Sequence, residues 1–83
     1  MSLEEAIKAG RVKIGTKQTM KVVELGRAAE VYVAKDADAR ITAKVIQLCR
    51  RVGVPITYVD TMKQLGRSCG IEVGAAMAVL TNE

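Results

Sequence analysis

Residues 30–59, EVYVAKDADARITAKVIQLCRRVGVPITYV, decide the fold class of this chain. Residues 30–34 and 55–59 are rich in β-branched and aromatic side chains, which is typical of strands. Between them, apolar residues recur with helical spacing over residues 40–52, and Gly53 ends the pattern. A strand, a helix and a second strand joined by short connections predict a right-handed parallel crossover, the unit from which layered α/β folds are built.

The predicted helix has one apolar face, which we expect to be buried. Its members fall at i, i+4, i+7, i+8 and i+11, and they are Ile41, Val45, Leu48, Cys49 and Val52. The polar turn before the helix offers Asp36 and Asp38 as capping residues. Together with Lys35 these aspartates could instead form an acid/base or metal cluster, but capping explains them more simply.

The sequence before this unit continues the alternation of helices and strands. Ser2 and Glu5 form a predicted capping box for a first helix that ends at Gly10. Residues 11–14 alternate polar and apolar side chains and predict a strand. After this strand, Thr16 is expected to cap a second helix.

The sequence after the unit predicts one more helix and one more strand. Thr61 and Gln64 form a second predicted capping box, for a helix that ends near Gly70. Residues 76–80, AMAVL, are continuously apolar, which is typical of a strand buried on both faces. The predicted order is therefore α-β-α-β-α-β-α-loop-β, with helices on both faces of a small sheet.

The composition limits both the size of the fold and its chemistry. Eighty-three residues, 49% of them hydrophobic and 27% charged, predict one globular domain over residues 1–83. Phe and Trp are absent and only two Tyr occur, which argues against RNA-binding proteins that stack bases on aromatic side chains. The net charge is +4, and residues 1–27 carry six Lys or Arg against three Glu, so a phosphate-bearing partner is favoured.

The residues that usually carry catalysis are scarce. The chain has no His, which removes the commonest general base and metal ligand. Cys49 occupies a predicted core position, and Cys69 has no His to activate it, so neither is a persuasive nucleophile. Isolated cysteines, no signal peptide and no apolar run of about 18 residues predict a cytoplasmic protein.

The first candidate site is the turn from strand to helix at residues 15–21, GTKQTMK. A glycine permits close approach to the backbone, and the free amides of a helix start attract anions. Lys17 and Lys21, four residues apart, are expected on one face. A plain turn with solvated lysines explains the local pattern equally well, and the full P-loop motif is absent.

The second candidate site is residues 65–76, LGRSCGIEVGAA, just before the last strand. Gly66 falls inside a helical pattern, which indicates either close packing against it or an irregular helix. Ile71 and Val73 either belong to a functional loop or simply begin the last strand and are buried. On the local pattern alone, the buried strand is favoured.

Together, the two motifs and the segment VAKDAD at residues 33–38 resemble the kink-turn RNA-binding family of large-subunit ribosomal protein seven-Ae, in its short bacterial, YbxF-like form. The resemblance covers essentially the whole chain. It implies a three-layer α/β/α sandwich with a mixed four-stranded central sheet. It also implies a non-catalytic protein, without metal or cofactor, that binds duplexes sharply bent at a bulge beside tandem sheared G·A pairs.

The resemblance also implies a role for each matching residue. Lys17 and Gln18 would meet guanine edges in the RNA major groove, and Lys21 would contact a guanine or the nearby backbone. The loop at residues 71–73 would cover the bulged nucleotides. The implied RNA-binding residues are Gly15, Thr16, Lys17, Gln18, Lys21, Lys35, Ile71, Glu72 and Val73.

One departure from the family pattern bears on this assignment. Archaeal and eukaryotic relatives commonly have Asn-Glu where this chain has Lys17-Gln18. A carboxylate only accepts hydrogen bonds, whereas Gln18 accepts or donates and Lys17 adds charge. We therefore expect a similar bound geometry with a stronger dependence on salt.

The expected partner is structured RNA that contains a kink-turn, in ribosomal or riboswitch RNA, and the ribosome is a further candidate partner. We expect no DNA or membrane partner, and a monomer. One alternative is a constitutive structural component of the ribosome. The other is a small enzyme or nucleotide-binding domain that uses the turn at residues 15–21 as an anion site, against which the missing His and P-loop argue.

Overall fold

The computed structural model describes residues 3–82, in which helices and strands alternate in the predicted order. The helices are α1 (Leu3–Lys8), α2 (Thr16–Glu24), α3 (Ala39–Val52) and α4 (Met62–Ser68), and the strands are β1 (Val12–Ile14), β2 (Ala28–Ala34), β3 (Ile56–Val59) and β4 (Met77–Thr81). The predicted capping box of Ser2 with Glu5 lies outside the described residues. Within residues 3–82, no helix is both long enough and apolar enough to span a membrane.

The four strands form one mixed sheet in the order β1-β4-β2-β3. β2 and β3 are parallel, as the crossover through α3 predicts, whereas β4 is antiparallel to both of its neighbours. The last strand of the chain thus lies in the middle of the sheet, which is why its sequence is continuously apolar. The predicted mixed four-stranded sheet is confirmed.

Helices cover both faces of this sheet. On one face, Val31 and Val33 of β2 pack with buried residues of α2 and α3. On the other face, Ala34 and Ala78 pack with Leu65 of α4, and Ile7 of α1 joins this cluster. The alternation of side chains along each strand therefore divides the core between two helical layers, which gives the predicted three-layer sandwich.

Side chains cap two of the helices as the sequence predicts. The carboxylate of Asp38 accepts a 2.9 Å hydrogen bond from the amide of Arg40 at the start of α3. Hydrogen bonds from the Arg40 side chain and amide hold the pKa of Asp38 below its usual value. Thr61 accepts a 3.0 Å hydrogen bond from the amide of Gln64 and caps α4. At its other end, α3 stops at Gly53, whose φ of 85° is left-handed.

The buried face of α3 differs from the predicted one. Ile41 is 39% exposed and Val52 is 47% exposed, so their assignment to the core is wrong. Thr42 is buried in their place, beside Val45 and Cys49. Ile41 and Val52 lie near the two ends of the helix. The periodicity located the apolar face, but packing against the sheet selected which part of it is covered.

Candidate nucleic-acid interface

The structure brings the two candidate segments to the same edge of the sheet. β1 and β4 are antiparallel, so the end of one strand lies beside the start of the other. The amide of Gly15, just after β1, donates a 3.1 Å hydrogen bond to the carbonyl of Met77 at the start of β4. The amide of Ala34, at the end of β2, donates a 2.9 Å hydrogen bond to the carbonyl of Ala76. Three segments therefore lie together at the edge of the sheet where β1 and β2 end and β4 begins. They are residues 15–21, 35–38 and 70–76, and we call them the candidate interface.

The turn between β1 and α2 depends on Gly15. Its φ is 108° and its ψ is 159°, a conformation that side-chain-bearing residues rarely adopt. A Cβ built on Gly15 would meet no atom within 4 Å, so the space in front of this residue is open. Gly15 is thus needed for the shape of the turn, and it leaves its backbone accessible to a ligand.

The prediction that Thr16 caps α2 is wrong. Thr16 is the first residue of the helix, and Gly15 occupies the capping position. The reason is that the Gly15 amide still bonds to β4 while its carbonyl accepts from the amide of Thr19, so one residue both ends the ladder and begins the helix. No side-chain hydrogen bond caps α2. Its first amides therefore remain suited to an anionic oxygen of a ligand.

The polar side chains of α2 project from the side opposite to its buried residues. Lys17, Gln18 and Lys21 are exposed, whereas Thr19 and Val23 are fully buried. The first turn contains no acidic residue. The start of α2 therefore combines two lysines, an amide side chain and the positive end of the helix dipole on one accessible surface.

The loop before β4 is a true loop, because β4 begins only at Met77. The side chain of Val73 is 72% exposed, and Glu72 is exposed as well. Ile71 is half-buried and packs against the core cluster that includes Leu65. The local pattern favoured a buried strand for Ile71 and Val73, and that expectation is wrong.

Gly66 explains why this loop keeps its position. A Cβ at Gly66 would lie 2.1 Å from the carbonyl oxygen of Val73, so no side chain fits there. The amide of Ile71 donates a 3.0 Å hydrogen bond to the carbonyl of Gly66, and the amide of Ala75 donates a 3.0 Å hydrogen bond to the carbonyl of Met62. Of the two explanations for a glycine within α4, close packing is confirmed. The loop lies directly on the helix, and Val73 points away from the core.

The segment after β2 supplies Lys35 and joins the interface to α4. The ammonium group of Lys35 lies 3.3 Å from a carboxylate oxygen of Asp60, and both side chains are largely exposed. The carboxylate of Asp36 accepts a 2.7 Å hydrogen bond from the amide of Met62, the first residue of α4. Asp38 therefore caps α3 as predicted, whereas Asp36 accepts a hydrogen bond at the start of α4 and not of α3, the helix for which the sequence offered it as a cap. Among residues 3–82, no group of His, Cys, Asp or Glu side chains suits a metal ion.

Sequence reasoning missed Asp60 as a neighbour of Lys35. β2 and β3 are parallel, and each of these residues directly follows its strand. The predicted crossover could have revealed this pair, because the carboxyl ends of adjacent parallel strands lie side by side. The pair places one negative charge beside the cations of the candidate interface.

The two cysteines do not contribute to the interface. Cys49 is fully buried in the α2–α3 layer, and Cys69 is 4% exposed beneath the loop before β4. Burial raises the pKa of both thiols, which favours the neutral and unreactive form. This agrees with the expectation that neither residue is a nucleophile.

Comparisons with known proteins agree on one family. The model of the ribosomal protein L7Ae/L30e/S12e/Gadd45 family matches residues 1–83. An RNA-binding protein of Geobacillus thermodenitrificans is 50% identical over 80 residues, which cover 96% of this chain and 98% of that protein. RNA-binding protein YbxF of Geobacillus stearothermophilus is 48% identical over the same shares of each chain.

Solved structures show the same fold. The Giardia lamblia 15.5kD RNA binding protein matches with a TM-score of 0.90 and 27% identity, over 98% of this chain and 68% of that chain. A Bacillus halodurans protein of unknown function matches with a TM-score of 0.86 at 24% identity, which supports the fold alone. The two matches agree with the α/β sandwich described above.

Proposed function

The chain belongs to the ribosomal protein L7Ae/L30e/S12e/Gadd45 family, and on that premise we propose that it is an RNA-binding protein that recognises kink-turns and stabilises their bent form. The family and the names of the relatives point to RNA binding and not to an enzyme. The proposed binding surface is the candidate interface. One observation carries the proposal: the open turn at Gly15 and the outward-pointing loop before β4 lie at the same edge of the sheet.

The α2 turn is suited to a distorted major groove. An ordinary A-form major groove is too deep and narrow for side chains to reach the bases. A kink with non-Watson–Crick pairs opens this groove and leaves guanine O6 and N7 free to accept hydrogen bonds from Lys17 or Gln18. Because the space in front of Gly15 is empty, the backbone can approach the RNA closely.

The loop at residues 71–73 is suited to an unpaired base. Val73 presents an exposed β-branched side chain that can pack against the face of a nucleotide that has left the stack. Ile71 is held against the core, so the loop can present Val73 in a fixed direction. This arrangement supplies an apolar contact from a chain that has no Phe or Trp.

The cations of the interface supply the part of the affinity that does not depend on sequence. Lys17 and Lys21 are exposed beside uncapped helix amides, and the carboxylate that pairs with Lys35, that of Asp60, is itself exposed. Phosphate oxygens can replace that carboxylate at little cost, because exposed ion pairs are worth about 0–1 kcal/mol. Affinity should therefore fall as salt concentration rises.

Recognition of this kind changes the shape of the RNA without any chemical step. A protein that binds only the bent form shifts the equilibrium towards that form in proportion to its differential affinity. We propose that it acts as a monomer in the cytoplasm, on ribosomal or riboswitch RNA. We propose no metal or cofactor.

A paired titration tests the proposal. One RNA carries the kink-turn, and in the other the sheared G·A pairs are replaced by Watson–Crick pairs of the same length. Altering one base pair of a recognised site typically costs about 1–3 kcal/mol, so losing two pairs should weaken binding by at least about 30-fold. Equal affinity for the two RNAs would sink the proposal.

The family description also favours a narrower candidate, a constitutive ribosomal component. Sedimentation of ribosomal subunits through high-salt gradients separates the two cases. A constitutive component stays with one subunit in a fixed ratio, whereas an accessory RNA-binding protein is released because its phosphate contacts weaken with salt.

A further inference from the structure

The third helix carries an unusual distribution of charge. Over its 14 residues, Ala39–Val52, it has four cations and no acidic residue. Arg40, Lys44, Gln47 and Arg51 fall at i, i+4, i+7 and i+11, and all four are exposed. We call these four residues the α3 stripe. It extends about 16 Å along the helix at a rise of 1.5 Å per residue.

The stability of the helix does not explain the α3 stripe. Arg51 lies in the last turn, where the helix dipole favours a cation, but Lys44 lies mid-helix and Arg40 lies in the first turn, where a cation is disfavoured. Asp38 offsets Arg40 through an ion pair at 3.0 Å. Lys44 and Arg51 form no ion pair with the residues that the structure describes. A surface helix stabilised by its own charges would instead carry Glu–Lys pairs at i, i+4.

The α3 stripe begins close to the candidate interface and runs away from it. Asp38, which caps α3, follows Lys35 by three residues after the end of β2. At the other end of α3, the carbonyl of Pro55 accepts a 3.0 Å hydrogen bond from the amide of Val31, near the start of β2. α3 therefore extends along the sheet from the edge that bears the candidate interface towards the opposite edge. It packs beside α2, so both helices place their cations on the same layer of the molecule.

We propose that the α3 stripe is a second RNA contact, which binds the phosphate backbone of a double-helical segment outside the kink. Cations and an amide without an aromatic side chain suit phosphates and not stacked bases. A lipid surface does not fit, because the central apolar residues of α3, Val45, Leu48 and Cys49, are packed in the core and cannot insert. The inference rests on the proposed RNA-binding function and extends the contact surface beyond the family motifs.

A cis experiment tests the contact. The same kink-turn RNA is prepared with short double-helical arms and with one arm lengthened. For the wild-type protein and each variant, the measured quantity is the gain, which is the ratio of the affinity for the long-arm RNA to that for the short-arm RNA. In the wild-type protein, the long arm should raise affinity and steepen the slope of log K against log salt by about 0.7–0.9 for each added phosphate contact. In the variant K44Q/R51Q this ratio should fall towards one, so that the long arm no longer raises affinity.

The matched control is K63Q/R67Q, which removes one Lys and one Arg from α4, on the other face of the sheet. This control should keep the wild-type gain from the long arm. All four side chains are exposed, so both variants should fold, and thermal unfolding checks this. An equal loss of the gain in both variants would overturn the inference, because it would indicate only non-specific attraction.

A trans experiment distinguishes the source of the duplex. Protein saturated with the short-arm kink-turn is titrated with a labelled RNA duplex that has no kink. Binding that K44Q/R51Q abolishes would assign the α3 stripe to a second RNA, whereas a gain only in cis would assign it to an arm of the same RNA. No gain in either format, with discrimination between kink-turn and Watson–Crick RNA intact, overturns this inference alone. Loss of that discrimination overturns the proposed function instead.

Discussion

The carbonyl oxygen of Val73 occupies the space that a side chain at Gly66 would need, since a Cβ there would come within 2.1 Å of it. Gly66 lies inside α4, where glycine costs about 1 kcal/mol relative to alanine. Direct contact between helix and loop offsets that cost. The same contact fixes the backbone that carries the exposed Val73 side chain. Gly66 therefore affects both the packing of α4 and the position of Val73 in the candidate interface.

Gly66→Ala should therefore destabilise the protein, although alanine is the better helix former. Overpacking against a backbone atom typically costs about 1–3 kcal/mol, which exceeds the gain in helix propensity. We expect a lower midpoint in urea unfolding and weaker kink-turn binding, because the loop must move. Gly74→Ala is the comparison for stability alone, since its Cβ would lie 3.1 Å from the Cβ of Met62, a milder contact that should cost less. A Gly66→Ala protein more stable than wild type would contradict the contact.

Substitutions at the start of α2 should weaken kink-turn binding far more than a substitution in the last turn of α3. Lys17→Ala and Gln18→Ala should each cost about 1–3 kcal/mol, the range for a contact that reads a base edge. Arg50→Ala removes a charge near the opposite end of the sheet and should change affinity less than about threefold. Fluorescence anisotropy with a short-arm kink-turn measures all three. Equal losses would indicate a diffuse electrostatic binder.

The salt dependence of RNA binding by the same variants shows whether Lys17 contacts a phosphate or a base edge. If Lys17 contacts a phosphate, Lys17→Ala should lower the slope of log K against log salt by about 0.7–0.9, whereas Gln18→Ala should leave it unchanged. A loss of affinity in Lys17→Ala without a change of slope would indicate contact with a base edge. The measurement thus resolves a role that the sequence left open.

Sequence reasoning predicted the order of elements well because the signals were local. Helical periodicity located α3, and the continuous apolar run located β4 as the strand buried on both faces. It failed where distant parts of the chain decide the outcome. The exposure of Ile41 and Val52 depends on how α3 sits on the sheet, which periodicity does not contain.

The candidate interface was predictable in part for the same reason. Both loop motifs were identified from the sequence, and the fold places them at one edge. The capping role of Gly15 was missed because it depends on a hydrogen bond to Met77, a residue far along the chain. The exposed position of Val73 was missed because it depends on contact between Gly66 and the loop. Local patterns cannot report such long-range contacts.

Val73→Ser should separate binding from stability. Because the Val73 side chain is 72% exposed, its replacement should change stability by less than about 0.5 kcal/mol. Kink-turn affinity should nevertheless fall, since the apolar contact with the bulged nucleotide is lost. Leu25→Ser is the control, because Leu25 is 58% exposed and follows α2 at its far end. Unchanged affinity in Val73→Ser would remove Val73 from the interface.

Asp60→Asn should strengthen RNA binding. The carboxylate of Asp60 lies 3.3 Å from the ammonium of Lys35, so it competes with phosphate for that cation. Removal of one negative charge should raise affinity severalfold at low salt and less at high salt, because salt screens exposed charges. Stability should change little, since an exposed pair is worth about 0–1 kcal/mol. Lys35→Ala should act in the opposite direction, and an affinity unaffected by both changes would exclude Lys35 from the interface.

The alkaline stability of the protein should depend on Tyr32. Burial, together with the hydrogen bond that its hydroxyl donates to Glu30 at 2.8 Å, raises the pKa of Tyr32 to about 12. The folded state therefore holds this proton more tightly than the unfolded state, in which the pKa of tyrosine is about 10. The stabilisation is fully present below about pH 10 and is lost as the pH rises from about 10 to 12.

Two measurements check that the protein loses stability as the pH rises through the raised pKa of Tyr32. In a Tyr58→Phe background, tyrosinate absorbance reports Tyr32 alone and should rise with a midpoint near 12 while the protein stays folded. The stability advantage of wild type over Tyr32→Phe in urea unfolding should be largest below pH 10 and should shrink as the pH rises from about 10 to 12, since phenylalanine has no proton to release. A tyrosinate midpoint near the ordinary value of about 10 would show that Glu30 and burial do not hold this proton.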